Sequence, residues 1–318
     1  SRNELDEVVI SDSKFALAKE KSGKVITKIT AEDLKKKSGQ NIATILSTVV
    51  GLEINGNQGS AGKNLGYYIR GGRNRQTLIM INGIPMSDAS GINMDYDLRL
   101  IPVEQVESIE VMKGASSTLY GSGAATGVIN ITLKKSAKSA FAGSAYTILG
   151  TQNTATTSKT SAQDLSQGFI LNGTVDKVSY MTSLNSNNTN GMSEAAGDNF
   201  EEDYFSRVNV LQKIGIKANE NLRFEIFGNY DRIKNTFDNS FDGSIANSDD
   251  VNNTSLSEQY RIGFLPKYCY RNGEFAINVG ASTIDRKLKM TNTWANTIDD
   301  YNYSGRTISM DAFNKYTF

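Results

Sequence analysis

The feature that most constrains this chain is a two-residue rhythm in its second half. In Leu222, Phe224, Ile226 and Tyr230 the apolar side chains share one face, with Arg223, Glu225, Asn229 and Asp231 on the other. Phe275, Ile277, Val279 and Ala281 repeat the pattern against Ala276, Asn278, Gly280 and Ser282, and residues 204–214 and 259–270 follow it more loosely. Successive side chains of a strand point to opposite faces, so this rhythm specifies sheet with one apolar and one polar face. A water-soluble sandwich carries the same alternation. The connections favour a transmembrane antiparallel barrel. Short turns at 175–177, 215–221 and 271–274 alternate with long polar loops near 186–203, 232–256 and 286–301, giving one tight end and one long end. Tyr204, Phe205, Tyr230, Tyr268, Tyr270, Tyr301 and Tyr303 stand near strand ends, as interfacial aromatics do. No apolar run approaches the roughly 20 residues that a membrane helix needs.

Before residue 136 the pattern is mixed. Residues 25–29 read as a strand. Thr30 reads as an N-cap with Asp33 three residues on, predicting a helical turn over 31–34. Ile42, Ile45, Leu46 and Val49 share a helical face over 41–49, and Gly51 follows as a stop. Strands are expected at 66–70, 77–81, 106–113 and 127–133, with Asn82-Gly83 as a tight turn. This half is a small α+β domain over 24–135. It follows a polar segment over 1–23, and the strands occupy 136–318.

Composition removes whole classes of function. Histidine is absent and Cys269 is the one cysteine, so no Ser-His-Asp or Cys-His nucleophile, imidazole zinc site or disulfide framework can be built. No enzyme activity and no organic cofactor is expected. Lysine plus arginine equals aspartate plus glutamate, 34 each, which leaves no global basic field for nucleic acid. Gly121, Gly123 and Gly127 invite a nucleotide-loop reading, but the spacing is G-x-G-x-x-x-G and a strand follows where a helix should open. No signal peptide leads the chain; an exported protein would have lost it.

Four ordered blocks carry a resemblance. They are Tyr68-Ile69-Arg70-Gly71-Gly72, Leu78-Ile79-Met80-Ile81-Asn82-Gly83-Ile84-Pro85, Ile101-Pro102 through Val106-Glu107-Ser108-Ile109-Glu110-Val111, and Lys113-Gly114-Ala115 through Leu119-Tyr120-Gly121 to Gly127-Val128-Ile129-Asn130-Ile131. Together they resemble the plug domain of TonB-dependent outer-membrane receptors. The resemblance implies an α+β plug inside a barrel of about 22 strands, of which residues 136–318 supply only about eight. A closed barrel that small could not hold the plug, so the chain is expected to be part of a longer protein.

The same resemblance implies a Gram-negative outer-membrane location and active import of a scarce nutrient, with TonB, membrane lipid and a small-molecule ligand as partners. Asp6, Glu7, Val8, Val9, Ile10 and Ser11 resemble the TonB box, an unanchored β-branched run able to add as a strand to a partner's sheet edge. Arg70 and Lys113 match plug positions that pair with barrel glutamates. Asn57, Gln58, Ser60 and Asn64 in one outward loop, and Ser90, Asn93 and Tyr96 in the next, are the candidate ligand contacts.

Loop order in the barrel half is most similar to vitamin B12 receptors, which implies a corrinoid cargo. Siderophore or glycan import is the alternative, and a receptor-like assembly component without transport is the third. A surface lipoprotein is a further partner to test. The loop Asp238-x-Ser240-x-Asp242-Gly243, with Asp249 eleven residues after Asp238, has the oxygen spacing of a calcium loop. Asp250, Asp198 and Asp203 complete the candidate Ca²⁺ ligands.

Overall fold

The computed structural model describes residues 8–317 apart from 16, 38, 57–64, 92–95, 152–161, 194–201, 239–249 and 293. The chain opens with a two-residue hairpin, β1 (Val8–Val9) against β2 (Leu17–Ala18). β3 (Val25–Ile29) leads into α1 (Ala31–Lys36). Thr30 and Asp33 cap α1 reciprocally, each side chain taking the other's backbone N–H. In α2 (Ile42–Leu46) the Asn41 side chain accepts the Thr44 N–H at 2.8 Å. This helix is shorter than its apolar face suggests, because Thr48 and Val49 donate to Ile45 and Leu46 in tighter i→i+3 bonds. β4 (Leu52–Asn55) pairs with β5 (Gly66–Ile69).

The plug's main sheet uses β6 (Thr77–Ile81), β7 (Ile84–Met86), β8 (Val106–Lys113) and β9 (Gly127–Leu133), in the order β3-β8-β9-β6-β7. The short helix α3 (Ser117–Tyr120) lies between β8 and β9. Asn82 and Gly83 both take positive φ in the two-residue turn joining β6 to β7, where Ile81 faces Ile84. Gly127 is required for closeness: a Cβ there would lie 2.5 Å from the Met112 carbonyl.

Period two assigns the sheet's faces. Ile79, Ile81, Ile109, Val111, Ile129 and Ile131 point into the main core with α2 and Leu98. The opposite face carries Met80, Met112 and Val128, which cluster with Ile26, Ala124 and Val9. The hairpin at the N-terminus therefore covers the second face of the plug sheet.

After Leu133 the chain becomes an eight-stranded antiparallel meander. It comprises β10 (Ala142–Gly150), β11 (Asp164–Val175), β12 (Val178–Met192), β13 (Asp203–Lys217), β14 (Leu222–Thr236), β15 (Thr254–Tyr270), β16 (Gly273–Asn292) and β17 (Thr297–Tyr316). Among the described residues β10 and β17 are its two open edges. Residues 176–177, 218–221 and 271–272 make the tight end.

The third expected long loop is mostly strand. β16 and β17 pair to Asn292 and Thr297, so only residues 293–296 connect them. At about 3.4 Å per residue such strands reach roughly 65 Å, twice a membrane core. Beyond the membrane no lipid selects alternation, so those polar ends read as loop while the backbone ladder continues. Among the described residues no helix is long and apolar enough to cross a membrane.

Candidate functional site

Three places bring functional side chains together: the N-terminal clasp, the seam between plug and wall, and the cavity beside the Asn82-Gly83 turn. The clasp follows from the second face of the plug sheet. Glu110 shares that face with Met112, an acid set between Ile109 and Val111, and is 1% exposed. Its carboxylate accepts the backbone N–H of Ile10 at 2.9 Å, that of Ser11 at 2.8 Å and the Ser11 hydroxyl at 2.6 Å. Lys28 donates to the Val8 carbonyl and stands 3.8 Å from Glu110. The Tyr120 hydroxyl donates to the Ser11 carbonyl at 2.9 Å. Burial, with Glu110 beside it, pushes that hydroxyl well above its ordinary range, which keeps the proton for this bond.

Val9 is fully buried, worth about 1.5 kcal/mol by apolar burial alone. Further on, Lys14 pairs with Asp311 of β17, and Phe15 meets Phe313 edge-on at 5.3 Å. The expectation of an unanchored segment is therefore corrected: Val8, Val9, Ile10 and Ser11 are docked, because an apolar strip and a buried acid need covering. Asp6 and Glu7 lie outside the described residues.

The seam is polar. Gln105 of the plug donates to Ser183 at 3.0 Å and to Asn209 at 2.6 Å. Asn209 donates to Asp231 at 2.6 Å, and Arg261 donates to Asp231 and Asn229. These inward positions of β12, β13, β14 and β15 form one buried ladder. Arg207 reaches the carbonyls of Arg99 and Leu100, and Arg286 pairs with Asp88. At the turn, Asn82 donates to Glu225 at 3.1 Å and accepts the Leu133 N–H at 2.9 Å. Asn278 donates to the Gly83 carbonyl at 3.2 Å; a Cβ on Gly83 would meet that amide at 2.4 Å.

The remaining predicted residues distribute unevenly. Arg70, at φ 51°, is exposed, whereas Lys113 is 9% exposed. Among the described residues no carboxylate lies within ion-pair distance of either. Burial, reinforced by the Arg70 charge, lowers the Lys113 pKa. Ser90 donates through N–H and hydroxyl to Asp88. Tyr96 is buried with its ring 5.2 Å from the Arg261 guanidinium of the wall.

Asp238 accepts from the Ser193 hydroxyl at 3.0 Å and the Asp250 N–H at 3.1 Å, and Asp250 accepts from Thr291 at 3.0 Å. Asp203 is buried at the start of β13. Among the described residues no three acidic groups converge where a metal ion could sit. Asn57, Gln58, Ser60, Asn64, Asn93, Asp198, Asp242 and Asp249 lie outside the described residues.

Sequence reasoning passed over Glu110, Gln105, Asp231, Arg261 and Lys14. Glu110 had a signal, a charge flanked directly by Ile109 and Val111. Asp231 had one too, lying on the polar face of β14. Lys14 had none.

Residues 18–128 match the family model described as the TonB-dependent receptor plug domain. The ferric enterobactin receptor PirA of Pseudomonas aeruginosa is 36% identical over 141 residues, 41% of this chain and 19% of that protein. The vitamin B12 transporter BtuB of Vibrio vulnificus is 30% identical over 135 residues, 42% of this chain and 22% of that protein. A mutant of the ferric enterobactin receptor PfeA of P. aeruginosa superposes with a TM-score of 0.69 at 21% identity, covering 90% of this chain and 45% of that one. The chain thus spans less than half the length of these relatives.

Proposed function

From a chain that carries the plug domain of the TonB-dependent outer-membrane receptors and eight strands of the barrel around it, we propose that the whole protein imports a ferric siderophore across the outer membrane, driven by TonB. The observation that carries this is the plug match over residues 18–128, preceded by a β-branched segment whose docking side is the plug sheet itself. Released from Glu110, Val8 to Ser11 would offer free backbone donors and acceptors for strand addition to TonB. The siderophore replaces the corrinoid favoured by loop order, because the enterobactin receptor is more similar over the shared region than the B12 transporter is. The test uses the full-length receptor in cells lacking their own siderophore and B12 receptors. TonB-dependent uptake of labelled ferric enterobactin above that of cyanocobalamin supports the reading; the reverse order restores the corrinoid.

Two parts of the proposal concern the plug and the loops. Arg70 and Lys113 would meet carboxylates on strands other than the eight present here, since among the described residues no acid lies within ion-pair distance of either. Calcium, held by Asp238 and Asp250 with Asp242, Asp249, Asp198 and Asp203, rests on spacing. The Asp250 N–H bond to Asp238 brings two of those acids to one loop base. A surface lipoprotein partner stays a matter for co-purification from the outer membrane.

A further inference from the structure

A cavity of about 920 Å³ lies between the second face of the plug sheet and the inner wall, at the tight-turn end of the meander. Its size is that of a small-molecule pocket, far beyond a water or a single ion. The 318-residue chain carries no net formal charge, yet eight basic and only four acidic side chains line this one space. Three of the acids are already engaged by lining lysines: Asp311 by Lys14, Glu225 by Lys213 at 3.6 Å, and Glu274 by Lys267. The fourth, Asp176, sits exposed in the turn beyond β11. Lys135, Lys138, Lys177 and Arg223 are left with no carboxylate within ion-pair distance among the described residues. The rest of the lining is substantially apolar, with Ile216, Leu265 and Phe313 among it.

We propose that this cavity is an inner binding site for a polyanionic aromatic chelate, occupied by the cargo after it passes the plug and before it leaves at the tight-turn end. Excess positive charge between low-dielectric walls concentrates anions, and apolar walls favour flat rings over small hydrated ions. Arg223 and the Asn82-Gly83 turn both line the space, and Asn82 bonds Glu225 two residues along the strand from Arg223. The Asn82–Glu225 and Asn278–Gly83 hydrogen bonds close the gap between plug and wall beside it, so a plug displaced at that turn would open onto the basic wall.

The inference rests on the import reading for its place in transport, and its test separates the two. Purified full-length receptor is titrated with pyrenetetrasulfonate, a fluorescent aromatic polyanion, for wild type and for the Lys138→Glu/Arg223→Glu pair. Both positions are exposed, so folding is retained; heat-modifiable gel mobility checks this. Binding should weaken at least about tenfold in the reversed pair, and by less in Lys138→Gln/Arg223→Gln. Equal binding by wild type and the reversed pair overturns the site, whatever the cargo. In cells, the reversed pair should keep surface affinity for ferric enterobactin and lose most of its uptake rate; unchanged uptake also overturns it. Wild type that neither binds nor imports ferric enterobactin, yet binds the pyrene anion through these residues, refutes the siderophore reading and leaves the cavity assigned.

Discussion

The plug sheet is held almost wholly by apolar burial, the seam around it by a mixture in which hydrogen bonds and ion pairs are prominent. Inside the plug, Ile109, Val111, Ile129 and Ile131 are fully buried against aliphatic neighbours and leave no polar group for water to compete over. Between plug and wall, Leu211 and Phe227 join the plug's apolar cluster, and the rest of the contact is made by amides, carboxylates and guanidinium groups: Gln105 to Asn209, Asn82 to Glu225, Asn278 to the Gly83 carbonyl. Apolar burial is lost outright when its surfaces part, whereas a hydrogen bond exchanged for water changes the free energy by only about 1 kcal/mol. The difference teaches that the plug is built to stay folded while its attachments are built to be exchanged. The N-terminal clasp combines the two, with one buried valine and a set of hydrogen bonds to a single acid.

The comparison can be broken at either side. The largest effect is expected at Asp231→Ala, which strands Arg261 and Asn209 in a buried setting and should cost about 4 kcal/mol of receptor stability in urea titration. Next, Ile129→Ala should cost about 3 kcal/mol and act on the plug alone, read as lost amide protection in β8 and β9 with the barrel ladder unchanged. Gln105→Ala should cost about 1.5 kcal/mol and loosen the seam without touching the plug core, so the plug should become extractable at lower urea while β9 amides hold. If Gln105→Ala deprotects β9 as strongly as Ile129→Ala does, plug and seam are one cooperative unit and the contrast fails.

The smallest effect is at the cap of α1. The Thr30 N–H and hydroxyl hold the Asp33 carboxyl below its ordinary value of 3.8. A depressed carboxylate stabilises the fold above that ordinary value and loses its contribution as pH falls through the folded one. Thr30→Ala should therefore cost about 1 kcal/mol at neutral pH and less toward pH 3, followed by the thermal midpoint.

Much of this architecture was readable in advance. Alternation in β14 and β16 gave the two faces, because lipid and lumen select opposite side chains residue by residue. β6, β8 and β9 were readable to their ends, since their β-branched and apolar residues give way there to turn residues such as Asn82-Gly83 and Gly114. The 293–296 turn was not, because alternation fades where strands leave the membrane although backbone pairing continues. Nor was the seam. Gln105, Asn209 and Arg261 come from distant stretches, and nothing local marks a polar residue as facing another element rather than water. The docking of Val8 to Ser11 was hidden for the same reason: a β-branched run reads alike whether free or held, and its partner Glu110 lies about 100 residues away.

Hydrogen exchange on the full-length receptor without ligand tests the central contrast most directly. The amides of Ile109, Val111, Ile129 and Ile131 should exchange only through global unfolding. Those of Ile10 and Ser11, held by the Glu110 carboxylate alone, should exchange at least about a hundredfold faster through local opening. Equal protection of the two sets would contradict an exchangeable clasp on a permanent plug.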